Sequence, residues 1–349
     1  MSLARDLADG VINGLTPQPS NMQPFNRIIN GAMTVDQRNA GATLTLSGSS
    51  QFAVDRFVAS KDTAGATCTA QRSTTSTTGF VNSLLWTTTT GATSGVSDES
   101  VIWQNIEGYN VADLAWGTAL ATTVTLSFWV RSSLTGTFGV SFRSPSGSRN
   151  YVGSYTINSA NTFEYKTVTV AGDTTGTWAT DNSTGLRITW DMGCGTSKST
   201  TAGSWGAGNL PGLTGGVKVS ANTGATFYIT GVQLEVGSTA SPFAHENYGD
   251  TLRKCQRYFQ LIDYSTSNGG IAANWYQFTI PFLMAMRATP TMVASQILSN
   301  TGSAIATQDS GNVSGWTLAD GYLNAALVRG PNFLLSRGIT GRGQFNSEL

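Results

Sequence analysis

An all-β protein, a β-sandwich with a smaller β domain behind it, is what this sequence predicts, and three observations carry that prediction. Apolar and polar residues alternate in short runs. Val124, Leu126, Phe128 and Val130 interleave with Thr125, Ser127, Trp129 and Arg131, the period of a half-buried strand. Phe138, Val140 and Phe142 repeat the pattern, as do Leu186, Ile188, Trp190 and Met192. These runs are separated by Gly, Ser, Thr and Asn turns rather than by amphipathic helices, which favours a sandwich. Finally, only 11% of residues are charged while Thr and Ser abound, and Thr suits a pleated, half-exposed surface.

Residues 2 to 10 read as one or two helical turns, with Ser2 able to cap, Gly10 to terminate, and Leu3 and Leu7 on one face. So short a helix needs something to dock on. Pro17, Pro19 and Pro24 then mark an extended linker, so 1–25 is expected to be an attachment segment. The sandwich is assigned to 26–247. Within 226–236 the apolar set changes parity across Gly231, from Phe227 and Ile229 to Val232 and Leu234, as at a β-bulge. Residues 193–217 are too glycine-rich for regular structure and read as a long loop, with Trp205 at its centre and nothing nearby in sequence to bury it.

A connecting helix is expected over 248–260, capped by Asp250, with Leu252, Cys255, Tyr258 and Phe259 at helical spacing. Residues 261–349 return to strands, strongest at Trp275–Phe282 and Met284–Val293, weaker at Gly315–Leu318 and Asn332–Ser336. Apolar residues around Pro281 (Phe282, Leu283, Met284, Met286), with Leu323, Leu327, Phe333, Leu334 and Leu335, exceed what so small a domain would bury. Part of that surface is expected to pack between chains of a homo-oligomer.

Acidic and basic residues balance at 20 each, which offers no footprint for nucleic acid or an anionic membrane. No apolar run approaches a membrane span of about 20 residues, and Asp6 and Asp9 interrupt any signal-peptide core. Cys68, Cys194 and Cys255 have no paired spacing and read as buried thiols.

No catalytic motif is visible. His245 is the sole histidine, there is no Gly-x-Ser-x-Gly elbow, and a multi-imidazole metal centre is excluded. Glycoside hydrolysis needs only two carboxylates. Glu107, Asp113, Glu164, Asp181 and Asp191 are available for it, and none is distinguished. No cofactor or metal is therefore expected, although Asp98-Glu99 and Asp181-Asn182, in expected loops, would supply oxygen ligands for a structural calcium. Nine tryptophans are the better clue, because sugars are recognised by flat aromatic faces flanked by polar groups. Trp129 lies out of phase with its strand's apolar set, Trp178 follows the turn-like Gly172–Thr177, and Trp205 lies in the long loop. These three are the candidate ligand-binding residues, with Trp205 in contact with ligand or a neighbouring subunit.

Several segments, in this order, resemble bacteriophage tail-fibre proteins that carry a jelly roll of the carbohydrate-binding-module type. They are Arg27-Ile-Ile-Asn30-Gly-Ala-Met-Thr-Val-Asp-Gln-Arg38, Ile106-Glu-Gly-Tyr-Asn110, Trp116-Gly-Thr118, Val124–Arg131 and Tyr228–Phe243. Tyr248–Phe259 resembles the helix that follows this jelly roll, and Met284–Val293 a segment of fibre C-terminal domains. The resemblance implies jelly-roll topology, which periodicity cannot supply. It also implies a homotrimer joined to the phage baseplate or tail through its N-terminal segment. The protein would then reside in the virion, assemble in the bacterial cytoplasm, and attach to host cell-surface polysaccharide without being an enzyme. A purely structural baseplate or collar component and a polysaccharide depolymerase are the alternatives.

Overall fold

The computed structural model of the chain describes residues 26–266, 270–272, 275–300, 317–321, 325–331 and 339–349. The expected N-terminal helical element and linker lie outside these residues, as do Leu323 and the Asn332–Ser336 strand. The first unit contains β1 (Leu44–Thr45), β2 (Gln51–Val54), β3 (Phe57–Ser60), β4 (Thr67–Ser73), β5 (Ser83–Thr90) and β6 (Glu99–Glu107). It continues with β7 (Val124–Ser132), β8 (Gly136–Arg143), β9 (Asn150–Ile157), β10 (Glu164–Val170) and β11 (Thr184–Cys194). The short β12 (Ser199–Thr200), β13 (Trp205–Gly206) and β14 (Gly212–Leu213) precede the long β15 (Thr226–Val236). One sheet has the order β1-β4-β5-β15-β7-β10 and the other β13-β9-β8-β11-β6-β3-β2. The chain crosses between sheets from β1 to β2, β3 to β4, β5 to β6, β6 to β7, β7 to β8, β9 to β10 and β10 to β11, and the result is a jelly-roll sandwich.

The alternating residues face inward as their spacing requires. Leu126, Phe128, Val130, Phe138, Val140, Phe142, Ile188, Trp190, Phe227 and Ile229 are all fully buried in one core. The Phe128 ring meets Tyr155 edge-on at 5.0 Å and Trp190 at 5.8 Å, joining the two sheets at mid-core. Each such aromatic contributes roughly 1.5–3 kcal/mol through burial. All three cysteines are buried and free.

The open end between the sheets is closed by the strap 26–38. Arg27 N–H donates to Leu234 O on one sheet, and the Ile29 amide to Gln104 Oε1 on the other. The Arg27 guanidinium grips Asp113 at 2.6 and 2.7 Å and also donates to Asn110 O. Asn30, at φ +61°, holds its own turn through Val35 and reaches Asp55 O. The segments singled out at 27–38 and 106–110 thus meet at one end of the sandwich, whereas Trp116 packs with Trp178 and Trp205. The parity switch in β15 is a bulge between Thr230 and Gln233, with Gly231 at φ +58°. There the Val232 amide donates to Gly31 O, and a Cβ on Gly31 would lie 2.1 Å from Val232 O. Only glycine allows so close an approach.

Helix α1 (Tyr248–Gln256) follows. Asn247, not Asp250, occupies its cap position, and Asp250 lies in the first turn paired with Arg253, where a carboxylate suits the helix dipole. The helix is shorter than the expected 248–260 because Phe259 already pairs with Asn346 in the next sheet. The second unit comprises β16 (Phe259–Thr266), β17 (Gly270–Ala272), β18 (Trp275–Pro281), β19 (Thr291–Asn300), β20 (Thr317–Gly321), β21 (Ala325–Pro331) and β22 (Ile339–Asn346). They form the sheets β16-β22-β19 and β17-β18-β21-β20. Met284–Pro290 is not strand as expected. Pro290, lacking an N–H, stands before β19, which begins at Thr291. Of the apolar residues near Pro281, Leu283 is 66% exposed while Met286 is buried.

A buried ionic cluster ties the end of this unit to the sandwich. Arg56, 2% exposed, pairs with Glu348 and donates to Asn105 O at 2.7 Å. Arg38 also reaches Glu348, at 3.3 Å, and lies between the Phe52 and Phe259 rings at 4.1 and 3.7 Å. Burial pulls the Arg38 guanidinium down to about 10, with Asp55 opposing. Glu348→Gln would leave the buried Arg56 guanidinium without its counter-charge and Arg38 with Asp55 alone, at 3.6 Å, and removing one partner of a buried pair costs about 3–5 kcal/mol. We expect a clear fall in the thermal unfolding midpoint. An unchanged midpoint would show that the cluster contributes nothing to stability.

Candidate functional site

The outer face of the β13–β2 sheet is roofed. Trp103, 7% exposed, clusters with Val58, Val101 and Cys194 beneath Phe52. Arg143 is held by Glu99, Asn209 and Thr189, and Asp191 by Lys218 and the Leu213 and Cys194 amides. The roof is the segment 193–217, which is more regular than its glycines suggested. It contains β12, β13 and β14, and Leu213 lies where a Cβ on Gly139 would otherwise project.

Trp205 is not left unburied as its sequence neighbours implied. It pairs with Tyr151 in β13, is half-buried, and meets Trp116, Trp178 and Tyr151 at ring-centroid distances of 5.2, 5.6 and 5.4 Å. Its indole N–H donates to Ala171 O at 2.7 Å, that of Trp116 to Thr122 O and that of Trp178 to Thr175 O. Partners distant in sequence supply the burial, so no local reading could find them. Candidates Trp205 and Trp178 therefore lie together, closing the sandwich edge where β10 and β13 leave two strand edges side by side.

Trp129 stands elsewhere, on the outer face of the other sheet. One end of that face is covered, with Phe80 against Gly231, Thr230 bonded to Asn82 O, and Gln233 and Glu235 bonded to Ser241. The other end is open. Here Trp129 is the cross-strand partner of Tyr165, with ring centroids 5.4 Å apart. Two residues along, Arg131 pairs across the sheet with Tyr228, and its guanidinium carbon lies 4.9 Å from that ring's centroid. Phe163 also meets the Tyr228 ring, edge-on at 6.1 Å. Tyr165 is 43% exposed, and the Trp129 indole N–H has no hydrogen-bond partner among the described residues. A ladder of Thr45, Thr69, Thr87 and Thr226 runs across four strands beside this strip. Sequence reading missed Tyr165, Tyr228, Phe163 and Arg131, although Tyr228 and Arg131 carry the same out-of-phase signal that marked Trp129.

The turn before β10 is pinned by Glu164, which accepts from the Asn158 and Ser159 amides at 2.9 and 2.7 Å and pairs with Lys166 at 2.6 Å. Burial pushes the Glu164 carboxyl up, but Lys166 and the Ser159 and Asn158 donors together hold it down to about 2. The other candidate carboxylates are likewise engaged. Glu107 is held by Arg257 and Tyr258, Asp113 by Arg27, and Asp181 by Ser183. Glu99 stands in β6 rather than a loop and pairs with Arg143, while Asp98 caps the Gly95 amide. His245 is exposed and rests against Phe80 and Phe243. It borders a recess of about 640 Å³ whose charges are paired as Lys254–Glu246, Arg253–Asp250 and Arg257–Glu107.

No protein-family model matches this chain, and no curated relative does. Among solved structures it is similar to the enzymatically active domain of tailspike protein 4 of bacteriophage CBA120, at 15% identity over 61% of this chain and 21% of that one, with a TM-score of 0.32. A family 11 carbohydrate-binding module from Clostridium thermocellum, in complex with a β-1,3-1,4-mixed-linked tetrasaccharide, aligns at 15% identity over 58% of this chain and 100% of the module, TM-score 0.28. A candidate sugar-binding protein from Bacteroides thetaiotaomicron aligns at 11% identity over 61% and 100%, TM-score 0.32. Likenesses this distant carry no weight for ligand or reaction, and the sandwich rests on its own strand pairing.

Two outcomes follow from this geometry. Trp205→Ala should destabilise the protein by about 2–4 kcal/mol, toward the lower end for a large aromatic truncation because the ring is only half-buried. A thermal melt within a degree of the parent would contradict the packing role. Glu164 has a folded pKa below its unfolded one, so its stabilisation is full above about pH 4.5 and is lost as pH falls toward about 2. Glu164→Gln should flatten the acid limb of the stability curve in that window. An acid limb identical to that of the parent would show that the turn does not depend on the carboxylate.

Proposed function

We propose that this chain is a tail-fibre protein of a bacteriophage that attaches the particle to a host-surface glycan, through the aromatic strip on the outer face of its jelly roll. The observation that carries this reading is the row of Trp129, Tyr165, Tyr228 and Phe163 on a sheet face whose other open residues are mostly Thr and Gln, with Leu85 and Arg131. Pyranose rings present C–H faces to aromatic rings and hydroxyls to neighbouring polar groups, and the strip beside its threonine ladder offers both. The tail-fibre part of the reading is supported by the five sequence segments, two of which, 27–38 and 106–110, meet at the strap end of the sandwich. On the same resemblance, the assembled protein is a homotrimer carried by the virion and joined to the baseplate or tail through residues 1–25.

Glycan contact is assigned first to Trp129, with Trp178 and Trp205 assigned to closing the sandwich edge. The function is binding rather than depolymerisation. A general acid must release and recover its proton near neutral pH, and Glu107, Asp113, Glu164, Asp181 and Asp191 are all held in charge-assisted or hydroxyl hydrogen bonds. No cofactor or calcium is invoked.

Binding of the intact protein to host polysaccharide should fall by up to about ten-fold in Trp129→Ala and in Tyr165→Ala, the scale of losing one stacked aromatic contact of about 0.5–1.5 kcal/mol, with both variants still folded by circular dichroism. Undiminished binding in both variants would remove the strip from the function. Release of reducing ends from the polysaccharide would instead favour the depolymerase.

A further inference from the structure

We infer that the strip selects an acidic glycan, and that Arg131 is the residue that reads the sugar carboxylate; this rests on the glycan-binding reading above. The outward side chains on the open part of the sheet are Gln71, Leu85, Thr87, Thr226, Tyr228, Trp129, Tyr165 and Thr167, all uncharged. Arg131 is the charge among them. Its Nε–H donates to Asn161 O at 2.9 Å, and its guanidinium lies over Tyr228 at 4.9 Å. No ion pair among the described residues includes it, whereas the neighbouring Lys166 is neutralised by Glu164 at 2.6 Å.

An arginine on a surface without an acid is common. What sets this one apart is that it is both unneutralised and ordered. Asn161 O and the Tyr228 ring fix the plane of the guanidinium, and the Asn161 amide is itself anchored to Ser132 O at 2.7 Å. The rotamer entropy that a free arginine would lose on binding is therefore already lost. With Nε engaged by Asn161, the two Nη groups remain to donate. They suit the paired oxygens of a planar carboxylate, with short charge-assisted bonds. A single cation also matches one negative charge, whereas a phosphate monoester carries nearly two at neutral pH.

Spacing points to the same ligand. Arg131 and Trp129 lie two residues apart on one face of β7, roughly 7 Å along the strand, about the length of one sugar residue. A hexuronate stacked on Trp129 and Tyr165 could place its own or its neighbour's carboxylate at Arg131. The chemical class implied is a uronate-bearing polysaccharide.

The test uses the full chain with three uronate polymers (polygalacturonate, alginate and hyaluronan), each beside its carboxyl-reduced neutral form, and with glucose 6-phosphate as a competitor. Affinity is read by titration calorimetry or tryptophan fluorescence. At least one polymer should bind, and more weakly by about ten-fold or more after carboxyl reduction, the scale of a hydrogen bond to a charged group. Arg131→Gln should abolish that preference while keeping the affinity for the neutral form, and Arg131→Lys should recover part of it. Melting temperature confirms that the variants fold. Binding to none of the three polymers, equal binding of native and reduced forms, an unaltered preference in Arg131→Gln, or displacement by glucose 6-phosphate at lower concentration than by galacturonate would each overturn the assignment. If Trp129→Ala abolishes binding while Arg131→Gln changes nothing, the platform stands and the acid selectivity falls. If neither variant alters binding to the polymers, the platform itself falls.

Discussion

The contact between the strap and the bulge of β15 decides where this sandwich is closed and where it is open. Gly31 lies so close to Val232 that no side chain fits between them, and Val232 N–H donates to Gly31 O. Holding Val232 there requires the bulge, and the bulge reverses the facing of the strand beyond it. Tyr228 and Thr230 face outward before it, Gln233 and Glu235 after it. The second pair is polar and captures residues 241–244, which then cover that end of the sheet. Of the first pair, Thr230 is covered by Asn82, and Tyr228 belongs to the end left open. The aromatic strip is thus exposed by a constraint set at the opposite side of the strand.

A second constraint joins the two units. Glu348 reaches Arg56 and Arg38 across sequence separations of 292 and 310 residues. Charge pairs this deep stabilise little relative to apolar packing, but they are costly to break singly. Such a cluster favours one arrangement of the interface over others, because a shifted register would strand at least one charge. Arg38, stacked between Phe52 of the sandwich and Phe259 of the second unit, adds directional contact to that specificity.

The elements that sequence makes legible are those whose signal is local. Alternation in β7, β8 and β11 names their inward residues, and the phase change at Gly231 marks the bulge, because period-two geometry acts over a few neighbours. The helix is legible in kind but not in extent. Its cap competes among Asn247 and Asp250 a turn apart, and its end is set by β16 pairing with a strand some 80 residues away. Trp205 is illegible for the same reason, since every group that packs on it comes from elsewhere in the chain. The open strip falls between these cases. Trp129, Arg131 and Tyr228 show in sequence as outward-facing, but that they adjoin one another depends on strand order, which alternation does not encode.

The two groups of tryptophan show why composition alone does not tell a candidate surface from packing. Trp116, Trp178 and Trp205 each donate an indole N–H to a backbone carbonyl and pack edge-on against one another. Their polar atoms are satisfied within the chain and their rings exclude water from the sandwich edge. Among the described residues, Trp129 has an unused N–H and one aromatic neighbour, and a sheet of threonines lies beside it. Burying the first group gains hydrophobic and edge-to-face energy on folding; the second leaves that gain unrealised until something covers it. In a chain with so few charges, solubility does not require a half-buried indole beside an ordered, unneutralised arginine. The coincidence of the two on one short stretch of β7 is what the proposed reading of an acidic glycan rests on.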